Sequence, residues 1–297
     1  MPTRDQDCVR FLRWALPRLG YRWPGYRKVR RQVCRRVRRR LEALGLADLD
    51  AYARLLAKDP DEWPRLDDCC HVTISRFYRD RQLWEVLGRD VLPALYAQAA
   101  ASDPPRIRVW SAGCGAGEEP YTMAMLLRLG PKPLPAGVDS EIVGTDLDRH
   151  QLERARRAAY PESSLRDLPA AWRRRAFAAD AGGAQRLLEP HAEATRFLLQ
   201  DLRGEAPAGP FDLVLCRNLA FTYFDSDTQA RCLARLLANL GPSGWLAIGC
   251  HETLPAGGPT LLRHPSGLPL FARPLEGPFL ARIQGEAKVS GVRIGRK

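Results

Sequence analysis

The stretch that decides the fold is RIRVWSAGCGAGEEPYTMAM, residues 106–125. Large apolar residues alternate at its start, at Ile107 and Val109, and this alternation is typical of a buried β-strand. A glycine turn from Gly113 to Gly117 follows, and an apolar pattern at helical spacing begins after it. A strand, a glycine turn and a helix in this order are typical of the nucleotide site of a Rossmann-type α/β domain.

The spacing of the glycines indicates which ligand the turn would accept. Gly113, Gly115 and Gly117 form Gly-x-Gly-x-Gly, whereas dinucleotide sites carry Gly-x-Gly-x-x-Gly. The first helical turn holds Glu118 and Glu119, which repel pyrophosphate but accept hydrogen bonds from ribose hydroxyls. We therefore expect a phosphate-free nucleoside such as S-adenosylmethionine (SAM) to bind beside Gly113, Gly115 and Glu119. A tight turn that binds no ligand is the alternative at this point.

Two later strands also end in polar residues. The strand EIVGTD ends at Asp146, whose carboxylate suits both ribose hydroxyls of a nucleoside. A helix N-cap is the alternative role for Asp146, although Asp148 fits that role better. The apolar strand FDLVLC is followed directly by Arg217 and Asn218. These patterns predict a Rossmann-like α/β domain over residues 101–297.

The remaining patterns divide the chain further. Helical patterns predict an all-α domain over residues 1–100, including a loop through Ser75 and a long helix after it. The Pro-containing stretch at 99–105 predicts the linker that ends this domain. An irregular stretch at 161–197 predicts a small inserted subdomain. A short apolar stretch at 277–282 predicts a last strand.

The densest charge run of the chain lies in residues 26–41. Nine of the fifteen residues from Tyr26 to Arg40 are Arg or Lys, and none is acidic. Val29, Val33, Val37 and Leu41 recur at helical spacing, which predicts a helix with one buried stripe and an arginine-rich face. A solvated face is the ordinary interpretation of such a run. An anionic partner is the alternative, because nine unbalanced positive charges on one helix repel each other.

Overall composition limits the class of protein. The chain has a net charge of +12, which favours an acidic partner, and 45% hydrophobic residues, which is ordinary for a globular protein. It contains no apolar run of membrane-spanning length and no apolar signal segment near Met1, so we expect no membrane insertion. The eight cysteines form no Cys-x-x-Cys pair. We therefore expect no metal site, and a reduced, cytoplasmic protein.

Taken together, these stretches resemble the CheR family, the SAM-dependent glutamate O-methyltransferases of bacterial chemoreceptors. The resemblance covers nearly the whole chain. It is carried by SRFYRD (75–80), VWSAGCGAGEEPY (109–121), GTDLD (144–148), FDLVLCRN (211–218), YFD (223–225) and, more weakly, GCHE (249–252). It implies that the protein transfers a methyl group from SAM to glutamate carboxylates of a chemoreceptor or a related signalling protein.

The resemblance also implies roles for single residues. Arg79 and Tyr223 fall on the active-site arginine and tyrosine of the family. Together with the glycine turn, the positions expected to bind SAM are Thr73, Ser75, Arg79, Gly113, Gly115, Glu119, Asp146, Asp201, Leu202, Arg217 and Asn218. Thr73 and Asp201 each stand where the family usually has Asn. One residue more than the common pattern precedes Tyr223, which leaves open whether this tyrosine faces the methyl donor or is displaced from it.

The acceptor of the methyl group is the least constrained part of the interpretation. Methylation sites of chemoreceptors lie on acidic helical bundles, so we expect the basic helix 26–41 to bind the substrate. We also expect the protein to act as a monomer. We expect the salt dependence of that binding to come mainly from Arg35, Arg36, Arg38, Arg39 and Arg40. A methyltransferase of the same fold for a small acid or nucleic acid is one alternative, and a non-catalytic SAM-binding scaffold is another. Nucleic acid is disfavoured, because the strand end Cys-Arg-Asn-Leu lacks the Asn-Pro-Pro-Tyr type of motif.

Overall fold

A computed structural model describes residues 5–73 and 75–274, and its centre is a mostly parallel β-sheet. The strands are β1 Arg106–Ala112, β2 Asp139–Asp146, β3 Ala159–Tyr160, β4 Phe177–Ala179, β5 Gln185–Leu187, β6 Thr195–Leu199, β7 Phe211–Cys216, β8 Leu240–Ile248, β9 Leu262–Arg263 and β10 Leu270–Ala272. Seven of them form the main sheet in the order β6-β2-β1-β7-β8-β10-β9. β1 lies between β2 and β7 and is parallel to both, with Trp110 opposite Val143 and Val214. The carboxyl ends of β1, β2, β6 and β7 therefore meet at one edge.

Helices cover both faces of this sheet and build a separate N-terminal layer. They are α1 Asp5–Ala15, α2 Trp23–Tyr26, α3 Arg30–Ala43, α4 Leu49–Lys58, α5 Glu62–Cys70, α6 Arg81–Val86, α7 Leu92–Ala100, α8 Glu118–Leu129, α9 Arg149–Arg157, α10 Ala170–Ala176, α11 Glu189–Ala192, α12 Ala220–Tyr223 and α13 Ser226–Ala238. The prediction of a Rossmann-like α/β domain with an N-terminal all-α domain is confirmed.

The arginine-rich helix has the buried stripe that its sequence predicts. Val33, Val37 and Leu41 are almost fully buried. The helix begins at Arg30 rather than at residue 26, because α2 and a turn occupy the positions before it. Val29 consequently precedes the first turn of α3 and is only partly buried.

One prediction about the cysteines is wrong. Cys8 on α1 and Cys34 on α3 form a disulfide, although the sequence predicted that all cysteines are reduced. The two helices pack side by side and bring the Cα atoms to 6.0 Å, within the range that a disulfide spans. No sequence motif indicates this pair, because the two cysteines are 26 residues apart and belong to different helices.

The segment before the sheet also differs from its prediction. The long helix expected directly after Ser75 begins only at Arg81, since Tyr78 and Asp80 have φ values of 59° and 62°, which an α-helix does not accept. A single π-helical turn at Leu87–Val91 then separates α6 from α7.

Helices α6 and α7 pack against the sheet rather than against the N-terminal helices. Leu83, Trp84 and Leu95 belong to the same hydrophobic cluster as Val109 of β1. The hydrophobic core of the α/β domain therefore includes side chains that precede residue 100.

The inserted region is a small antiparallel sheet in the order β3-β5-β4. β6, by contrast, is an edge strand of the main sheet. β9 and β10 were not predicted, and the strand predicted at 277–282 lies outside the described residues. Among residues 5–73 and 75–274, no helix is long and apolar enough to cross a membrane, and no cluster of three or more His, Cys, Asp or Glu side chains could hold a metal ion.

Candidate cofactor and active site

A cavity opens at the edge where β1, β2, β6 and β7 end, and residues from the N-terminal helical domain close its opposite side. All twelve residues that the sequence predicted for the site line this one cavity: Thr73, Ser75, Arg79, Gly113, Gly115, Glu119, Asp146, Asp201, Leu202, Arg217, Asn218 and Tyr223. They come from five separate parts of the chain, and the sheet brings them together because parallel strands end at a common edge.

The glycine turn forms the floor of the cavity. Gly113 and Gly115 have φ values of 76° and 56°, a region that residues with a Cβ rarely adopt. The amides of Gly113 and Cys114 donate to the carbonyl oxygen of Thr145 at 2.8 and 2.9 Å, which fixes the turn against the end of β2. A Cβ on Gly113 would lie 2.3 Å from Leu219, so the close approach of the two loops requires glycine there.

Asp146 supports this floor from the end of β2. Its Oδ2 accepts from the amide of Gly115 at 2.8 Å, and its Oδ1 accepts from the amide of Asp148 at 2.9 Å. Burial raises the pKa of the Asp146 carboxyl. The N-cap of α9 is Asp148, whose side chain accepts from His150 and Gln151, so Asp146 is not required for that role.

A buried arginine in the cavity wall joins three segments. Arg217 Nη1 donates to Glu119 at 2.7 Å, and its Nη2 donates to Asp80 at 2.7 Å and to the carbonyl of Arg79 at 2.7 Å. Ser111 donates to the other oxygen of Glu119 at 2.8 Å. Burial acts to lower the pKa of Arg217, but the carboxylates of Glu119 and Asp80 outweigh it and raise that pKa. Only 2% of the Arg217 side chain is exposed, so solvent and salt screen these ion pairs little.

Three other residues expected in the active site, Arg79, Asn218 and Tyr223, line the same cavity. Arg79 Nη2 donates to Asn218 Oδ1 at 3.0 Å. Asn218 has a φ of 58°, in the left-handed region that Asn tolerates better than most residues. Tyr223 ends α12 and lines the cavity, with its ring 5.2 Å from that of Tyr26. Tyr223 therefore lines the cavity although one residue more than the common pattern precedes it.

Several residues of the site were not singled out from the sequence. Tyr21, Tyr26 and His71 of the N-terminal part line the cavity, and so does Arg203. Tyr21 and Tyr26 reach it from a distant part of the chain, whereas His71 and Arg203 lie two residues from Thr73 and Asp201. No sequence motif marks any of the four.

Glu252 lies behind the cavity, and only the weak GCHE motif pointed to it. This buried carboxylate accepts from the amides of Asn218 and Gly249 at 2.8 and 2.6 Å and from the hydroxyl of Thr222 at 2.6 Å. Burial raises the pKa of Glu252. These contacts hold the loop that carries Asn218 and α12.

The lining fits the chemistry of SAM. The carboxylates of Glu119, Asp146 and Asp201 suit a ligand with a sulfonium, an ammonium group and two ribose hydroxyls, since carboxylates accept hydrogen bonds and attract cations. Leu202 adds an apolar surface of the kind that contacts a base. A Cβ on Gly115 would meet no atom within 4 Å, so this glycine leaves room in the cavity.

Comparison with known proteins agrees with this geometry. The chain matches the CheR methyltransferase SAM-binding domain over residues 73–266 and the CheR methyltransferase all-alpha domain over residues 7–68. It is 34% identical over 261 residues to a chemotaxis protein methyltransferase of Klebsiella aerogenes, which covers 85% of this chain and 84% of the relative.

Two further relatives differ in how much of their length is matched. A probable chemotaxis protein methyltransferase of Rhizobium etli is 32% identical, with 74% of this chain and 83% of the relative covered. An uncharacterized 104.1 kDa protein of Rhodobacter capsulatus is 33% identical over 75% of this chain, which spans only 23% of that relative. The chain therefore belongs to the CheR methyltransferase family, and it is a SAM-dependent methyltransferase with the family's all-α and SAM-binding domains.

Proposed function

We propose that the protein transfers the methyl group of SAM to glutamate carboxylates of a chemoreceptor or a related signalling protein. The observation that carries this proposal is the position of Arg79, Asn218 and Tyr223 on the cavity that the glycine turn and Asp146 form. The names of the relatives from Klebsiella aerogenes and Rhizobium etli support the same acceptor class.

The reaction needs alignment rather than acid–base catalysis. A glutamate carboxylate is ionised at neutral pH and is already nucleophilic, so no general base is required. When bound, SAM would supply the methyl group: as the carboxylate oxygen bonds to the methyl carbon, the carbon–sulfur bond would break and its electron pair would stay on sulfur, leaving a neutral thioether. Holding oxygen, carbon and sulfur in line can supply roughly 7–11 kcal/mol of the barrier.

We assign the residues accordingly. Arg79 binds a carboxylate through its guanidinium, and Tyr223 orients the acceptor through its hydroxyl. Glu119 and Asp146 bind the cofactor's amine and sugar, while Asp201 and Leu202 contact its adenine. Thr73 and Ser75 provide further polar contacts, and Arg217 and Asn218 position the loop beside the cofactor.

Radiolabelled SAM tests the acceptor directly. We expect label that is released by alkali, as a methyl ester is, on a receptor fragment that contains acidic methylation helices. The same fragment with its target glutamates replaced by glutamine should stay unlabelled, because an amide nitrogen is not nucleophilic. Label on a small acid or nucleic acid would contradict the proposed acceptor. Binding of S-adenosylhomocysteine without transfer to any acceptor would point to a non-catalytic scaffold.

The partner surface is proposed to be the exposed face of α3. Arg36 and Arg40 are not available for this, since Arg36 donates to the carbonyl of His71 and Arg40 forms a two-bonded pair with Glu62 at 2.8 and 2.6 Å. The exposed arginines of the predicted set are Arg35, Arg38 and Arg39. We therefore attribute the predicted salt dependence of substrate binding to Arg35, Arg38 and Arg39.

Neutralising this face should weaken binding to an acidic receptor helix. We expect the triple variant Arg35→Gln, Arg38→Gln, Arg39→Gln to bind about tenfold more weakly at low salt, since each exposed pair contributes roughly 0.2–1 kcal/mol. Its affinity should also depend less on salt concentration. The measurement is the Kd for the receptor fragment over a salt series.

A matched control removes three exposed charges from elsewhere in the same domain. Arg54, Lys58 and Arg65 lie on α4 and α5 and are exposed. Their triple replacement by Gln should leave most of the affinity intact. Equal losses of affinity in both triple variants would show that net charge matters and that the α3 face does not.

The cytoplasmic location, the monomeric state and the domain boundary at residue 100 stay predictions.

A further inference from the structure

A salt-bridge network joins the N-terminal helical domain to the wall of the cofactor cavity. Its centre is Arg203, in the loop after β6. Arg203 Nε donates to the two carboxylate oxygens of Asp201 at 3.0 and 2.9 Å, and its Nη2 donates to Asp67 Oδ2 at 2.6 Å. Asp67 lies on α5, 136 residues earlier in the chain. One guanidinium thus bridges two carboxylates from different domains.

A second N-terminal segment completes the network. The Tyr21 hydroxyl donates to Asp67 Oδ1 at 2.7 Å, and the Arg203 guanidinium lies over the Tyr21 ring, 5.5 Å from its centroid. His71 Nε2 lies 3.8 Å from Asp67 Oδ1. Tyr21, His71, Asp201 and Arg203 all line the cavity, so the network forms part of its wall.

The network is largely shielded from solvent. The side chains of Asp67 and Arg203 are 13% and 21% exposed, so salt screens this pair less than a surface pair. Burial acts to raise the pKa of Asp67, but the nearby His71 side chain and the hydrogen bonds from Arg203 and Tyr21 outweigh it and hold that pKa at about 2. Asp67 is therefore ionised at neutral pH and pairs with Arg203 as a full charge.

The loop that carries Asp201 is held from two sides. On one side, the carbonyl of Leu202 accepts from Arg235 of α13 at 2.9 Å. On the other side, Arg203 ties the loop to Asp67 and Tyr21. Loss of the second attachment would leave Leu202 anchored, while the Asp201 side chain would keep only the hydrogen bond from the amide of Arg203 to its Oδ1 at 2.9 Å.

We propose that Asp67 and Arg203 are positioning residues that fix Asp201 at the cavity wall and couple cofactor affinity to the docking of the N-terminal helical domain. This proposal rests on the cofactor role of Asp201 given under the proposed function. Because coupling between two sites is reciprocal, a bound cofactor should also stabilise α5. The N-terminal domain would then contribute to cofactor binding as well as to the proposed recognition of the receptor.

Calorimetric titration with S-adenosylhomocysteine tests the proposal. Asp67→Asn keeps the size of the side chain and removes its charge. Arg203→Lys keeps the charge but lacks the fork that reaches two carboxylates. We expect each variant to bind roughly tenfold more weakly, within the usual range of coupling between sites.

Glu62→Gln is the matched control. Glu62 also lies on α5 and makes an equally short pair with Arg40, at 2.6 Å, but it does not line the cavity. This variant should lose stability while its Kd for S-adenosylhomocysteine stays unchanged. If the network had a purely structural role, all three variants would show the same change in their Kd for S-adenosylhomocysteine.

Hydrogen exchange provides a second readout. Bound S-adenosylhomocysteine should slow exchange of the α5 amides in the wild-type protein and in Glu62→Gln, but not in Arg203→Lys. Unchanged affinity in Asp67→Asn and Arg203→Lys, or an equal loss in Glu62→Gln, would overturn the proposal. If the variants gave either of these results while the wild-type protein bound S-adenosylhomocysteine, the proposed function would still stand. If the wild-type protein did not bind S-adenosylhomocysteine, both the positioning role and the proposed function would be overturned.

Discussion

Arg217→Met is expected to destabilise the protein by about 3–5 kcal/mol, as removal of one partner of a buried ion pair typically does. The guanidinium bonds to Glu119 and Asp80, and methionine of similar length would leave both carboxylates without a counter-charge. Glu119 would then lose the partner that orients it, so binding of S-adenosylhomocysteine should fall sharply. Urea unfolding measures the first effect, and calorimetry measures the second.

Arg89→Met is the control for this variant. Arg89 pairs with Asp90 at 2.7 Å, but its side chain is 65% exposed, so the change should stay within about 0.5 kcal/mol. If Arg217→Met proved as stable as Arg89→Met, the Arg217 network would not hold the site together.

Arg79→Met is expected to lower the rate of methyl transfer by about 10²-fold, the loss typical of a misplaced reacting group. Arg79 lines the same cavity as Tyr223 and donates to Asn218. Methionine cannot bind a carboxylate, so the acceptor or the cofactor would lose its alignment. Initial rates with SAM and the receptor fragment measure this effect.

The affinity for S-adenosylhomocysteine identifies which carboxylate Arg79 binds. An unchanged Kd assigns Arg79 to the acceptor glutamate, and a raised Kd assigns it to the methionine carboxylate of the cofactor. Arg81→Met is the control, because Arg81 pairs with Glu85 on the surface, with 75% of its side chain exposed. Equal rates in Arg79→Met and the wild-type protein would remove Arg79 from the mechanism.

The sequence determined the parts of the site that depend on short spacings. Alternating apolar residues and the glycines from Gly113 to Gly117 predicted a strand, a turn and a helix, and the structure has β1, that turn and α8. The acidic end of β2 and the polar end of β7 were placed in the same way. Strand direction and chain order then bring Glu119, Asp146 and Arg217 to one edge, so local patterns sufficed for these residues.

Patterns of local spacing gave wrong predictions at two places in the chain. The helix expected after Ser75 starts late because Tyr78 and Asp80 adopt left-handed backbone conformations, which apolar periodicity does not reveal. The disulfide between Cys8 and Cys34 depends on how α1 packs against α3. In each case, the outcome depends on neighbours in space rather than on neighbours in sequence.

Tertiary structure alone decided which side chains share the cavity and which charges remain available to a partner. Arg36 and Arg40 look equivalent to Arg38 in the sequence, yet only Arg38 is left exposed once α5 and the following loop pack against α3. Asp67 and Arg203 likewise carry no motif, because a salt bridge between two domains forms only when folding removes both charges from water at the same point. The sequence by itself thus determined the family and the cofactor edge of the sheet. The contacts between the two domains follow from long-range packing, which short sequence patterns do not encode.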